Sequence, residues 1–172
     1  FSHDKLRGVV VLQLDVSDRK RAEERNRLLH AALDAAANAI VITDPDAVIE
    51  WANPAFAALT GYTPDEAVGR KPKDLISSGR QDAAFYSALW ETILRGEVWR
   101  GELVNKRKDG QLYHEALTIT PVPDSSGRVA HFVAVKEDVT QRKLQEHELK
   151  RLASVDPLTG VSNRRVFMER LA

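Results

Sequence analysis

The chain has 172 residues, which suits one well-filled core or one domain with extensions. Basic and acidic residues number 25 each, so the formal net charge of zero gives no general attraction to nucleic acid or to an anionic membrane. The absence of cysteine excludes disulfides, thiol catalysis, cysteine-based zinc sites and a cysteinyl-flavin adduct, and it suits a reducing compartment. We therefore expect a cytoplasmic location, and a membrane attachment of the parent protein stays open.

No apolar run approaches the ~18 residues of a membrane span. The sequence opens on Phe1 and stops within a motif, so we interpret it as a piece of a longer protein. A short repeat supports this interpretation: residues 15–20 (DVSDRK) resemble residues 138–143 (DVTQRK), and each copy follows a β-rich run. Ser17 and Thr140 are the expected caps of the helices that follow.

The first half of the chain predicts an entry helix and a hairpin. Apolar residues at helical spacing indicate a connector helix over 18–37. A buried strand at 39–43, a turn at 44–46 and a strand at 47–52 follow. Asn53 is expected to cap a short helix that runs to residue 59 and has Pro54 at its first position.

The second half predicts further short helices and three strands. A second short helix is expected from Thr63 to Gly69, followed by a polar loop over 70–81 that contains Ser77, Ser78 and Gly79. The remaining elements are a helix over 82–95, strands over 98–107, 111–122 and 129–135, and an exit helix over 140–153. The turn at Asp109-Gly110 favours a hairpin, and the basic run 106–108 is interpreted as its solvated end.

This order indicates an α+β fold: a five-stranded antiparallel sheet with short helices on one face, flanked by N- and C-terminal connector helices. The sheet and the helices would enclose a pocket. No Ser-His-Asp set, carboxylate pair or metal-ligand spacing occurs, so we expect neither enzyme activity nor a metal site in this piece.

Six motifs in order resemble the signature of PAS sensory domains with their C-terminal motif, over residues 38–140. They are Ile42 to Asp44, Trp51 to Phe56, Leu59 to Tyr62, Glu66 to Gly69, 106–110 and Asp138 to Thr140. The resemblance implies a PAS fold and a signalling role, and residues 1–17 resemble the tail of an upstream PAS-like domain.

The end of the chain, 154–172, resembles the opening of a GGDEF domain, the diguanylate cyclase module. The residues that carry this are Asp156 to Gly160 with Asn163 to Arg165. It implies that the PAS domain regulates a cyclase, which synthesises c-di-GMP and lies beyond Ala172. The alternative is a plain helix capped by Asn163.

A second set of motifs resembles the FAD-binding PAS domain of the nitrogen-fixation redox regulator. By that resemblance Trp90 would lie near the isoalloxazine and Asn105 would bind its pyrimidine edge, for which an amide supplies both donor and acceptor. The cofactor-binding residues implied are Trp90, Asn105, Asn53, Phe56, Ser78, Gly79, Trp99 and Glu115. Haem is disfavoured because no histidine lies between residues 50 and 113.

The chain also resembles blue-light LOV domains, with informative departures. Pro72 or a neighbour stands near the place of the photoactive cysteine, Glu115 replaces a flavin-contacting Asn, and Lys136 replaces the signalling Gln. Every one of these site residues except Phe56 has a structural alternative. Trp90 would be core, Trp99 a cover of the sheet, Asn105 a partner of the backbone, Ser78 and Gly79 plain loop, Glu115 a solvated side chain and Asn53 a helix cap.

The connector helices carry sparse apolar seams that predict a homodimer through coiled coils. The exit seam is Val139, Leu144, Leu149 and Leu152, and the entry seam is Leu28, Leu29, Ala32, Leu33 and Ala36. A GGDEF domain would be the intramolecular partner, and no nucleic acid is expected. The alternatives to a flavin sensor are a cofactor-free PAS dimerisation and relay module and a small-metabolite receptor.

Overall fold

The computed structural model describes residues 17–154, and the side chains of residues 18–151. The upstream PAS-like tail, the GGDEF-like segment and the side chains of Ser17 and Leu152 therefore lie outside the described residues. The chain divides into two units, 1–33 and 34–172. Helix α1, Ser17–Asp34, lies almost wholly in the first and ends three residues earlier than its pattern predicts.

The second unit is a five-stranded sheet with helices, as the sequence predicts. Its strands follow the order β2-β1-β5-β4-β3, and every neighbouring pair is antiparallel. The strands are β1 (Ala39–Thr43), β2 (Ile49–Ala52), β3 (Trp99–Lys106), β4 (Leu112–Pro123) and β5 (Val129–Asp138). The helices are α2 (Pro54–Thr60), α3 (Pro64–Ala67), α4 (Pro72–Ile76), α5 (Ala83–Leu94) and α6 (Thr140–Ser154).

The predicted polar loop over 70–81 contains helix α4, which the sequence interpretation missed. Pro72 stands at its first turn, where a missing N–H costs nothing, and its C-terminal residues Leu75 and Ile76 are buried in the core. No side chain caps this helix, which is why the usual capping signal does not announce it. Burial of Leu75 and Ile76 is the physical reason for its formation.

The core lies between the inner face of the sheet and helices α2 to α5. Because side chains alternate along a strand, every second residue points inward, and on β4 these are Tyr113, Glu115 and Leu117. The larger buried cluster includes Val41, Ile49, Phe56, Leu75, Ile76, Leu103, Tyr113 and Leu117. Its side chains fill the space that the sequence analysis predicts as an enclosed pocket.

The base of α6 is held by hydrogen bonds and ion pairs that differ from the predicted cap. The Thr140 hydroxyl accepts a hydrogen bond from the His114 N–H at 2.9 Å instead of capping the helix. It is the Asp138 carboxylate that accepts from the Thr140 N–H, at 2.9 Å. Val139 is buried in the domain, so it does not belong to the exposed seam of the exit helix. On the outer side, Glu102 pairs with Arg142 at 2.9 Å and with Lys143.

In the basic run at the β3–β4 turn, Lys106 and Lys108 are exposed, as expected of a solvated end, whereas Arg107 is partly shielded against the domain. Lys108 pairs with Glu66 at 2.5 Å, and its backbone N–H donates to the Thr60 carbonyl. Arg107 pairs with Asp138 and lies over the ring of Tyr113. The turn itself forms as predicted, with Gly110 at φ +92°, a conformation that favours glycine.

Candidate functional site

A buried polar cluster lies on the inner face of strands β3, β4 and β5. We define the inner cluster as Asn105, Tyr113, Glu115 and Lys136, whose exposed fractions are 3%, 1%, 0% and 4%. Strand register brings them together, since Asn105 pairs with Tyr113 across β3 and β4, and Lys136 pairs with Leu117 across β4 and β5. The four residues come from three strands that are separated along the chain.

Glu115 is the centre of this cluster and accepts from all three neighbours. Lys136 Nζ lies 2.8 Å from its Oε1, while Asn105 Nδ2 and the Tyr113 hydroxyl donate to Oε2 at 3.2 and 2.9 Å. The sequence left open whether Glu115 faces solvent or a pocket, and the structure buries it completely. Its charge is compensated there by one cation and two neutral donors.

The cluster is fully hydrogen-bonded, and Tyr113 takes part as a protonated donor. Burial, together with the neighbouring charge of Glu115, raises the pKa of Tyr113 far above its ordinary range. Among the described residues, no buried side-chain nitrogen or oxygen lacks a partner. The arrangement is therefore a network of defined polarity rather than a group of stray charges.

The polarity of the cluster fits one kind of small-molecule edge. A carboxylate acceptor, Glu115, is flanked by an amide donor, Asn105, and an ammonium donor, Lys136. Both donors carry hydrogens beyond the ones they share with Glu115. This donor–acceptor–donor order complements the acceptor–donor–acceptor edge of a cyclic imide, in which an N–H lies between two carbonyls.

Aromatic side chains line the rest of the inner face. Trp99 lies along its own strand, so that a Cβ on Gly101 would stand 2.5 Å from the indole Cη2. The Trp99 ring also meets Phe85 edge to face, with the centroids 5.6 Å apart. Trp90 meets Phe132 in the same way at 5.9 Å and is half-buried in a second apolar cluster with Leu89 and Ile93. Both tryptophans thus take part in packing, and their contact with a cofactor stays a prediction.

The Ser78-Gly79 segment covers the open edge of β3 beside the inner cluster. Ser77 forms an isolated antiparallel bridge with Asn105, and the Ser78 hydroxyl donates to the Val104 carbonyl. Gly79 has a φ of +72°, so the chain turns there in a conformation that favours glycine. The segment is therefore more than a plain loop, since it satisfies an otherwise open strand edge.

Asn53 and Phe56 are not members of the inner cluster and have structural tasks. The Asn53 Oδ1 caps α2 by accepting from Phe56 N–H at 3.1 Å, and it also accepts from Ile40 N–H at 2.9 Å. Its Nδ2 donates to the Asn38 carbonyl at 3.0 Å. Phe56 is fully buried in the core. The predicted cap is confirmed, and cofactor binding by these two residues stays a prediction.

Of the eight predicted site residues, the structure joins Asn105 and Glu115 directly and places Ser78 next to them. The sequence interpretation missed Tyr113 and the pairing of Lys136 with Glu115. The signal was present in the alternation along β4, which puts Tyr113 on the same face as Glu115. The pairing with Lys136 needed the register between β4 and β5, which no local pattern gives.

A surface groove of about 240 Å³ lies beside the cluster, between α2 and the end of β5. Lys136, Arg107 and Asp138 line it together with the small side chains of α2. The described residues contain no group of three or more histidines and acidic residues placed to hold a metal ion. No helix in the described part of the chain is long and apolar enough to cross a membrane.

A family model for the PAS domain matches residues 37–141, which include all five strands and the inner cluster. The chain belongs to the PAS domain family. This PAS domain is 35% identical over 123 residues to a nitrogen fixation regulatory protein of Klebsiella oxytoca, across 72% of the chain and 25% of that protein. The chain therefore spans about a quarter of the length of that relative.

Two solved structures share the architecture of this PAS domain. An RNA-binding light-oxygen-voltage receptor superposes with a TM-score of 0.69 at 30% identity, covering 87% of the chain and 41% of the receptor. A light-oxygen-voltage domain studied with a flavin analogue has a TM-score of 0.58 at 28% identity, covering 72% and 96%. The chain is thus a sensory PAS domain of the signalling type, with light-oxygen-voltage structural neighbours.

Proposed function

We propose that this PAS domain binds a flavin through its inner cluster and reports the redox state of the flavin to a downstream output domain. The single observation that carries the proposal is the order of Asn105, Glu115 and Lys136 across the inner face. A flavin presents an imide edge, with an N–H between two carbonyls, and the cluster offers the complementary acceptor between two donors. The light-oxygen-voltage neighbours support the same ligand class.

We assign FAD as the flavin on the resemblance to the nitrogen-fixation redox regulator. When bound, the flavin would supply reversible electron transfer. The chain has no cysteine, so its residues offer no thiol for a covalent adduct, and a redox signal fits its composition better than that photochemistry. Glu115 and Lys136 would orient the ring, and Asn105 would fix the edge of the ring nearest β3.

Binding of so large a ring system requires the aromatic lining to rearrange. Trp99 lies flat on Gly101, and Phe85 packs against its edge. These rings would move off the sheet and would then lie against the isoalloxazine as a cover. Trp90, which contacts Phe132 of β5, and Ser78, which donates to the Val104 carbonyl of β3, are candidates for further contacts, as is Gly79.

For the output, we propose that α6 regulates a diguanylate cyclase through a parallel pair of connector helices. Leu144 and Leu149 are 57% and 66% exposed on α6, and Leu28 and Leu29 are 70% and 53% exposed on α1. Exposed leucines on two connector helices are what a homodimer through coiled coils would bury. The GGDEF-like segment that names the partner lies outside the described residues.

The main alternative is a cofactor-free PAS module that serves as a dimerisation and relay scaffold, and a small-metabolite receptor is a further one. The packing favours the cofactor-free module. Core side chains fill the inner face, and the polar atoms of the inner cluster have their hydrogen-bond partners within the protein. These functions differ in one measurable property. Only the flavin sensor gives a yellow protein.

The test is to purify the whole chain, incubate it with FAD and FMN separately, and record the visible spectrum after gel filtration. The proposal expects retained flavin in the wild type, and strongly reduced retention in Asn105→Ala and in the double variant Glu115→Gln/Lys136→Met, both checked as folded by circular dichroism. Gln111→Ala, at the exposed hairpin turn, is the matched control and should retain flavin normally. Colourless wild-type protein with either flavin contradicts flavin binding and leaves the cofactor-free module.

A further inference from the structure

Tyr113, a member of the inner cluster, lies between Glu115 and Arg107, which contacts the base of α6. Its hydroxyl donates to Glu115 Oε2 at 2.9 Å, inside the domain. The Arg107 guanidinium lies over the same ring, with its Cζ 4.7 Å from the centroid. One side chain, which is 1% exposed, therefore contacts Glu115 through its hydroxyl and the Arg107 cation through the face of its ring.

Arg107 continues this series of contacts to the exit helix. Its Nη2 lies 2.5 Å from Asp138 Oδ2, and Asp138 Oδ1 accepts from the backbone N–H of Thr140, the first residue of α6. Both side chains of the ion pair are largely shielded, at 20% and 34% exposure. A shift of the Arg107 guanidinium would thus change the hydrogen-bond acceptor at the start of the helix.

We propose that Tyr113, Arg107 and Asp138 form a relay that carries a rearrangement at Glu115 to the base of α6. The relay rests on the proposed function only for the event that starts it, which is a flavin imide competing with the Tyr113 hydroxyl for Glu115. A protonated phenol that loses its buried acceptor must find another partner, so its ring moves. Movement of the ring shifts the stacked guanidinium, and Arg107 then pulls on Asp138.

The outer contacts of α6 provide a comparison within the same molecule. Glu102 accepts from Arg142 and Lys143, and these two hydrogen bonds, the Lys143 one foremost, hold the pKa of Glu102 below its usual range. These contacts hold the same helix but do not touch Tyr113, Arg107 or Asp138. A change that travels through the relay should be insensitive to Glu102.

The first experiment measures amide hydrogen exchange of Val139, Thr140 and Lys143 in the ligand-free chain. Tyr113→Phe removes only the hydroxyl, and it should speed exchange of these amides about threefold or more in the wild-type background and in Glu102→Gln. The effect of Tyr113→Phe should vanish in Asp138→Asn, which keeps an acceptor for the Thr140 N–H but loses the ion pair with Arg107. It should also vanish in Arg107→Met, which removes the same link independently.

Two results would overturn the relay: no change on Tyr113→Phe in the wild type, or the same change in all four backgrounds. A second arm adds FAD to the wild type and to Arg107→Met. If FAD is retained, it should change amide exchange at the base of α6 in the wild type but not in Arg107→Met. An equal change in both proteins overturns the relay. If FAD is not retained, the proposed ligand fails, and the ligand-free comparison alone decides the relay.

Discussion

Lys136 and Glu115 form an ion pair of 2.8 Å in the interior of the sheet, with side chains that are 4% and 0% exposed. Removing two charges from water costs free energy, and their attraction repays it only when each keeps its partners. Glu115 keeps three donors and Lys136 keeps one acceptor, so loss of either member leaves an uncompensated charge inside the domain.

The first prediction concerns the stability of this pair. Lys136→Met should lower the free energy of unfolding by about 3–5 kcal/mol, because it leaves the Glu115 carboxylate buried without its cation. The double variant Glu115→Gln/Lys136→Met should regain much of that loss. Urea unfolding followed by circular dichroism measures both, and Arg95→Met, which breaks an exposed pair with Glu97, should change little. A double variant as unstable as Lys136→Met would contradict this assignment.

The second prediction concerns the packing of the Trp99 indole on Gly101. Gly101→Ala places a methyl group 2.5 Å from the Trp99 indole, so the ring must leave the sheet. We expect a lower free energy of unfolding and a shifted tryptophan emission spectrum of the folded protein. Tryptophan fluorescence, recorded before and during unfolding, measures both. In a Trp99→Phe background the smaller ring should accommodate the methyl, so Gly101→Ala should there cost much less. An equal cost in both backgrounds would show that Trp99 does not lie on Gly101.

The third prediction concerns Asn53, whose amide holds three backbone groups. Asn53→Ala should cost about 2 kcal/mol or more, because it removes a helix cap and also leaves the Ile40 N–H without its side-chain acceptor. Asp82→Ala is the matched control, since the carboxylate of Asp82 caps α5 through one bond to Phe85 N–H at an exposed site. It should cost about 1 kcal/mol. Equal losses of stability in the two variants would show that Asn53 contributes only as a helix cap.

The fourth prediction concerns pH and the base of α6. Burial raises the pKa of Asp138, but hydrogen bonds from Thr140 and Arg107 outweigh it, so the pKa is lowered overall. A lowered carboxyl pKa adds stability above the pKa of the unfolded chain, about 3.9, and this addition is lost as pH falls through the folded value. The stability difference between wild type and Asp138→Asn should therefore be constant near neutral pH and shrink in acid. A difference independent of pH would exclude a charged Asp138 as the source.

Local sequence patterns predict most of the sheet because each pattern lies within a single strand, turn or helix. Alternation marks the strands, Asp109-Gly110 marks the hairpin, and Asn53-Pro54 marks the start of α2. The sequence pattern does not predict helix α4, because this helix has no side-chain cap. It is stabilised by burial of Leu75 and Ile76, which depends on tertiary packing.

The candidate site was less predictable for the same reason. Asn105 and Glu115 were selected on resemblance, but whether Glu115 faces inward was open until the pleat of β4 was known. Its pairing with Lys136 depends on the register of β4 against β5. The basic run predicts a solvated Arg107, yet Tyr113 and Asp138 hold it against the domain. The pairing with Lys136 depends on long-range register and the position of Arg107 on tertiary contacts, and local sequence encodes neither.

Flavin binding by the inner cluster requires that Glu115, between Asn105 and Lys136, accept a hydrogen bond from the imide N–H of the flavin. Titration calorimetry of the ligand-free chain with a flavin and with its N3-methyl analogue tests this directly, because the methyl group removes that one donor. Hydrogen bonds to a charged group contribute about 1.5–3 kcal/mol, so we expect the analogue to bind roughly ten- to a hundredfold more weakly. Equal affinity for the two flavins, or binding of neither, would contradict the claim.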